Sequence, residues 1–428
     1  MCIEPSKTCV LLVLLAIASS ETFAQAAKPD ENQTVPQVTV VEGGESHLPA
    51  KVCRKMIVGP GVNQPDPFPG YEGFVGWESP VRLRDGTMLV TFNAGYWHAS
   101  RPTPLKQSYM DQYQSKYGPV FDVDAPRGGR AMISRSTDNG VTWSKPATML
   151  DTPYDDRHPA ITQLSDGTLI CSLFTAASEK GDCEQLDPSK GPRTAVVRSR
   201  DGGQTWESDP HRLPLVFLQE ATDGPPLELP DKSVLLTSYG RDKELDRWVI
   251  GVFRSADRGA HWELLWKVVD DHPLTEASMV RLQDGRLVMI TRPEGALSWS
   301  TDDGRSWTPP VSFGFKMFAP TLQVLADGTL LCIHGCYHGD LGGGGLRAIF
   351  SCDGGATWVA PHKRYGFAVD ETYGYSRSCL MPDGAAYLTY IGTGGHRFED
   401  ARNNSIWSIK LRVRPDHSGI ELVPVAGG

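Results

Sequence analysis

Ser136-Thr137-Asp138-Asn139-Gly140-Val141-Thr142-Trp143 decides the fold, because its pattern returns at Ser199–Trp206, Ser255–Trp262, Ser300–Trp307 and Ser351–Trp358. All five stretches fit Ser-x-Asp-x-Gly-x-(Thr/Ser/His)-Trp. The steps from Trp to Trp are 63, 56, 45 and 51 residues, close to the period of one propeller blade. Each copy has the chemistry of a tight turn. The Asp carboxylate accepts backbone N–H groups, and the Gly takes a positive φ without a Cβ penalty. The Trp ring buries apolar area against a neighbouring sheet. One active site has no use for the same acid five times, so the repeat is a folding device.

A second repeat alternates with the first. Apolar runs broken by Asp-Gly occur at 81–90, 161–170, 279–290, 322–333 and 380–390, and a sixth, 227–236, carries Asp231-Lys232 instead. Asp-Gly between β-rich segments is a strong hairpin signal. Six such hairpins and five boxes give six four-stranded units with one box missing. A sheet unit repeated radially in this way closes into an all-β, six-bladed propeller. The last strand-like run is Ser405–Val413 and the first is Lys55–Val58. Lys55–Val58 is therefore expected to be the outer strand that completes the last blade. No helical periodicity of note is present.

The 428 residues are spent on one ring, with residues 51–428 as a single domain; 44 Gly and 32 Pro match the many turns. A net charge of −9 argues against nucleic acid and against an anionic membrane surface. Lys7, the apolar stretch Cys9–Ala18 and the small-residue site Ala24-Gln25-Ala26 read as a secretory signal over residues 1–26, too short to span a bilayer. A secreted or periplasmic monomer is expected, with residues 27–50 as a flexible leader. The mature chain has seven Cys, which leaves one or two disulfides open. No cofactor or metal is expected. Cys332-Ile333-His334-Gly335-Cys336 falls in a predicted inner strand and reads as core.

Boxes alternating with Asp-Gly hairpins over about residues 55–414 resemble the sialidase (neuraminidase) superfamily. The resemblance implies boxes on the outer rim and an active site on the propeller axis, built from the starts of inner strands. It implies that Tyr375 is a nucleophile, Glu276 its base and Arg292 a clamp on the substrate carboxylate. A neutral Tyr suits a sugar whose own carboxylate would repel a carboxylate nucleophile. The chain departs from the family in blade one, where Gly76-Trp77-Glu78-Ser79-Pro80 places Glu78 where the first clamping Arg belongs. Arg347 is the nearest candidate for the third Arg. The family's acid Asp falls in the insertion 96–130, where Asp111, Asp122 and Asp124 are candidates.

Other polar residues are expected to converge on the axis: Arg157 and His158, Glu220 and Asp223, His98, His334 and His338, His396 with Arg397, and Arg377 beside Tyr375. Trp77 and Trp97 suit stacking on a sugar face. These residues support three functions: an exo-acting, retaining sialidase-like glycoside hydrolase; a hydrolase or lyase on the same scaffold retargeted to a uronic or deoxy sugar; or a glycan-binding propeller without turnover. In each, the partner is a glycan.

Overall fold

The computed structural model describes residues 37–43, 53–68, 71, 73–95, 129–152, 155–176, 193–336, 345–361, 366–371, 375–392 and 404–425. Each predicted turn joins the first two strands of a blade. Blade one begins with Phe74–Arg82 and Met88–Gly95, blade two with Asp155–Gln163 and Leu169–Ala176, and blade four with Thr275–Arg281 and Leu287–Arg292. Blade five begins with Phe318–Val324 and Leu330–Cys336, and blade six with Ser376–Leu380 and Ala386–Ile391. In blade three the inner strand is split into Glu220–Ala221 and Leu227–Glu228, both paired with Val234–Asp242. Two further strand positions complete each antiparallel blade, so the architecture is the six-bladed β-propeller expected.

The boxes build closely similar turns between the third and fourth strand positions, with the Ser–Gly and Asp bonds in all five and the Trp–Gly bond in all but the Trp206 box. In the first, the Gly140 N–H donates to Ser136 Oγ at 2.9 Å, the Thr142 N–H to Asp138 Oδ1 at 2.8 Å, and the Trp143 indole to the Gly140 carbonyl at 3.0 Å. Gly140 sits at φ 83°, where a Cβ would strike the Tyr387 ring of blade six at 2.5 Å. Each box Trp packs back onto the preceding blade. Trp143 joins the apolar cluster between blades six and one, Trp262 that between two and three, Trp307 that between three and four, and Trp358 that between four and five. Trp206 packs against the cluster between blades one and two, and a sixth cluster fills the interface of blades five and six.

Blade six, which has no box, is sewn from both ends of the chain. Lys55–Val58 runs antiparallel to Ile406–Val413, pairing Lys55 with Ser408 and Met56 with Trp407, while Ile420–Val423 pairs with the other half of the same strand. Within the segment expected to be a flexible leader, Thr39–Glu42 is a strand. It runs parallel to Thr357–Ala360 on the outer edge of blade five, where the ladder satisfies its backbone. Cys53, Cys171, Cys332, Cys352 and Cys379 are free thiols. No helix among the described residues is long and apolar enough to cross a membrane.

Candidate active site

Four inner strands break their pairing at equivalent places near the axis. The register shifts between Gly76 and Ser79, Arg157 and Ala160, Thr275 and Ser278, and Phe318 and Thr321. At each bulge one residue other than Gly adopts a left-handed backbone: Trp77 at φ 53°, His158 at 52°, Glu276 at 46° and Ala319 at 41°. Such a conformation costs on the order of 1 kcal/mol per residue, and it persists where the surrounding structure over-determines it. Its effect here is to re-aim side chains, and three of the four residues belong to one cluster around Tyr375.

Tyr375 enters from blade six, immediately before the inner strand. Its hydroxyl donates to Glu276 Oε1 at 2.8 Å, and Arg292 Nη1 donates to both oxygens of the same carboxylate, at 2.7 and 2.8 Å. The Arg292 guanidinium lies 4.1 Å over the Phe318 ring, which fixes its plane. Glu276 and Tyr375 are each 6% exposed. Burial raises the Glu276 carboxyl above its ordinary range against the pull of Arg292. Burial and then the Glu276 charge push the Tyr375 phenol well above its usual value, so Tyr375 rests as a neutral phenol beside an acceptor for its proton.

A second group adjoins the first. The Trp77 ring stacks on His158 at 4.4 Å between centroids and meets Tyr375 edge-on at 6.1 Å; His158 lies 5.3 Å from Tyr375. His158 Nδ1 is 2.8 Å from Asp223 Oδ1, in the break of the blade-three inner strand. Arg377 reaches across from blade six. It pairs with the Asp223 carboxylate at 2.6 Å, donates to the Asp223 carbonyl, and donates to the Glu78 carbonyl at 3.1 Å. Burial opposes the Asp223 charge, but Arg377 and the His158 N–H outweigh it and hold the carboxyl well below the usual range. Asp223 and Arg377 also line a cavity of about 350 Å³, walled by the inner strands of all six blades.

The predicted site residues divide accordingly. The fold brings together Tyr375, Glu276, Arg292, Trp77, His158 and Arg377. Arg157 stands beside them, paired with Asp155 at 2.7 Å and 5.5 Å over Phe174. Glu78 is 0% exposed, and neither carboxyl oxygen has a hydrogen-bond partner among the described residues; burial raises it to about 8. Arg347 is not brought to the Tyr375–Glu276 pair. Its guanidinium bonds the backbone oxygens of Leu346 and Asp370 at 3.2 and 3.4 Å, because the third strand of blade five points it to that blade's own edge. His334 is buried against Phe315 at 5.9 Å in the second strand of blade five, away from the pair. Glu220 ties blade two to blade three through Arg193 at 3.2 Å. His98, Asp111, Asp122, Asp124, His338 and His396 lie outside the described residues. Two groups that the sequence did not mark are Asn93, whose Oδ1 accepts the His158 backbone N–H at 2.6 Å, and Phe318 under Arg292. No local motif announces either, since strand pairing alone carries them to the axis.

Fold and site together define a six-bladed propeller with an axial Tyr–Glu–Arg cluster. The chain belongs to the BNR repeat-like domain family, which matches residues 132–388. A search of curated proteins finds no match. Among solved structures, a protein of unknown function from Dyadobacter fermentans matches with a TM-score of 0.63 at 18% identity, over 86% of this chain and 98% of that one. A Hadza microbial sialidase matches at 0.58 and 18% identity, over 78% of this chain and 65% of its own. Trypanosoma rangeli sialidase in complex with sialic acid matches at 0.57 and 14% identity, over 87% of this chain and 59% of its own. The fold is thus that of the sialidase propellers.

Proposed function

We propose that this protein is a secreted, exo-acting glycoside hydrolase that works with retention, using Tyr375 as nucleophile and Glu276 as its base. The observation that supports the reading is the Tyr375 hydroxyl donating to Glu276 at 2.8 Å while Arg292 holds the same carboxylate at 2.7 Å. A phenol is a weak nucleophile at its free pKa and needs an adjacent acceptor at the moment of attack. Glu276 is that acceptor, and Arg292 offsets part of the burial that raises its carboxyl. Attack by the Tyr375 oxygen on the anomeric carbon gives a glycosyl-tyrosine, and water then releases the sugar with its original configuration. Incubation with sialyl-lactose, alongside a panel of 4-nitrophenyl glycosides, between about pH 4 and 8 tests the reading. Release of a sugar, with a Tyr375-linked adduct trapped by a fluorinated substrate analogue, is the expected result. The absence of turnover on every member would leave a glycan-binding propeller.

A second reading concerns the sugar. Glu78 takes the first clamp position and Arg347 turns to the backbone of its own blade, so Arg292 is the one cation on the Tyr–Glu pair among the described residues. A bidentate arginine clamp on a carboxylate is the strong form of that interaction. Its reduction favours a sugar without a carboxylate on the anomeric carbon, such as a uronic or deoxy sugar, over sialic acid. Screening acidic plant and algal polysaccharides for new reducing ends separates the two substrates. New absorbance from an unsaturated uronate would instead indicate elimination.

A further inference from the structure

We propose that His158, oriented by Asp223, is the proton-transfer residue that works beside Tyr375, protonating the leaving oxygen and then deprotonating the attacking water. The reaction assigned to it rests on the hydrolase reading above; the choice of residue rests on the dyad's geometry. Asp223, ionised by its pairing with Arg377 at 2.6 Å, can only accept, so the hydrogen at 2.8 Å belongs to His158 Nδ1. Nε2 is then the atom that gains and loses a proton, and no hydrogen bond occupies it among the described residues. Trp77 on one side at 4.4 Å, Phe174 at 5.1 Å and Asn93 on the backbone N–H at 2.6 Å fix the plane of the ring. Of the two ring nitrogens, Nδ1 alone has a partner among the described residues. Here one is anchored to an ionised Asp–Arg pair and the other is left open, one ring away from the nucleophile.

The steps balance. In the first, the Tyr375 oxygen bonds to the anomeric carbon, Glu276 takes the phenolic proton, and the bond to the leaving oxygen breaks as that oxygen receives the proton of His158 Nε2. In the second, water bonds to the same carbon and gives its proton to Nε2. The bond to Tyr375 breaks, and Glu276 returns the phenolic proton. The groups facing the ring are Asp223 from blade three, Arg377 from blade six and Arg157 from its own strand; Glu78 of blade one is uncharged in acid solution, and Tyr375 and Glu276 complete the surround. Burial holds the imidazole down to about 4 against the opposing pull of Asp223. The first step needs the imidazolium together with an ionised Glu276, whose carboxyl burial raises above its ordinary range, so turnover is expected to peak in a narrow acid window and to fall on both sides of it.

Two measurements decide the proposal. On the intact protein labelled with nitrogen-15, long-range proton–nitrogen spectra should show His158 protonated at Nδ1 and bare at Nε2 at neutral pH. A proton on Nε2 overturns the assignment whether or not a substrate has been found. On the sugar turned over in the glycoside panel, His158→Ala and His158→Gln should lose ~10²–10⁴-fold on alkyl glycosides. Both should keep most of kcat/KM on 2,4-dinitrophenyl glycosides, whose leaving group needs no proton, while kcat falls with the slowed second step and azide restores it. Equal losses of kcat/KM on both kinds of leaving group, or no loss, overturn the role. Failure of the wild type on every glycoside overturns the hydrolase reading instead, and leaves the spectroscopic result standing by itself.

Discussion

Glu276 and Tyr375 share one short hydrogen bond, so their contributions to turnover belong to the pair. Tyr375→Phe removes the nucleophile and Glu276→Gln removes the acceptor of its proton. Each change alone is expected to cost most of the activity, ~10²–10⁴-fold or more, and the double variant little more than either. Steady-state rates of the three variants on one glycoside check this; additive losses would separate the residues into independent roles. Glu78 gives a prediction about stability. It is buried without a hydrogen-bond partner among the described residues, and its carboxyl is raised from 4.5 to about 8. Between those values the folded state holds a proton that the unfolded chain has lost, so folding weakens as pH rises through the window, by on the order of 1.4 kcal/mol per pH unit. Asp156 and Glu220, each raised to about 7 by burial, tilt the curve the same way. Glu78→Gln should flatten the decline in melting temperature from pH 5 to 8; an unchanged slope would show that the Glu78 carboxyl is solvated in solution.

At the scale of the hairpin, the six inner turns are one device with one variant. Gly86, Gly167, Gly285, Gly328 and Gly384 sit at φ between 78° and 95°, and Lys232 takes the same place at φ 72°. Its N–H still closes the turn on the Leu229 carbonyl at 3.0 Å. The hydrogen bond is kept, and the cost of a left-handed L-residue, roughly 1 kcal/mol, is added. Lys232→Gly is therefore expected to stabilise the protein by up to ~1 kcal/mol, read as a rise in melting temperature with activity unchanged. A fall would mean that the lysine side chain contributes more than the turn loses. These turns also explain what was legible in advance. Asp-Gly and the box fix φ and hydrogen bonds within a few residues, so blade count, hairpins and even the missing box were written locally. Glu276, Arg292 and Tyr375 were singled out because the segments that carry them, beside those hairpins, resemble the sialidase superfamily. Asp223 under His158, and Arg377 pinning Asp223, were not paired in advance, because those contacts join blades two, three and six across the axis. The turning away of Arg347 follows from strand register, which the sequence leaves open by one residue.

The ring as a whole is closed by a four-residue strand. Five boxes lock blades one to five to their predecessors, while blade six depends on Lys55–Val58 lying against Ile406–Val413, about 350 residues away. Ile57 and Val58, 1% and 0% exposed, are part of the cluster between blades six and one, together with Val75, Phe92, Trp143 and Tyr387. Arg54 adds an ion pair at 3.0 Å to Asp370 of blade five, which in turn accepts from the Tyr390 hydroxyl of blade six at 2.6 Å. Removing everything before Gly59 uncovers that cluster and leaves half of Ile406–Val413 as an open edge, while Ile420–Val423 still covers the other half. Burial of two such side chains contributes about 3–6 kcal/mol, and an uncovered edge invites pairing with a second chain. The truncated protein is expected to melt well below the intact one and to run as larger species in size-exclusion chromatography, with a peptide spanning residues 53–58 restoring the elution of the intact protein in part. Ile57→Asp in the full-length chain should lower the melting temperature without exposing the edge, which separates loss of packing from loss of pairing. A truncated chain that kept the elution volume and melting temperature of the intact protein would assign closure to Ile420–Val423 alone, and the first strand would then be an ornament on a ring already complete.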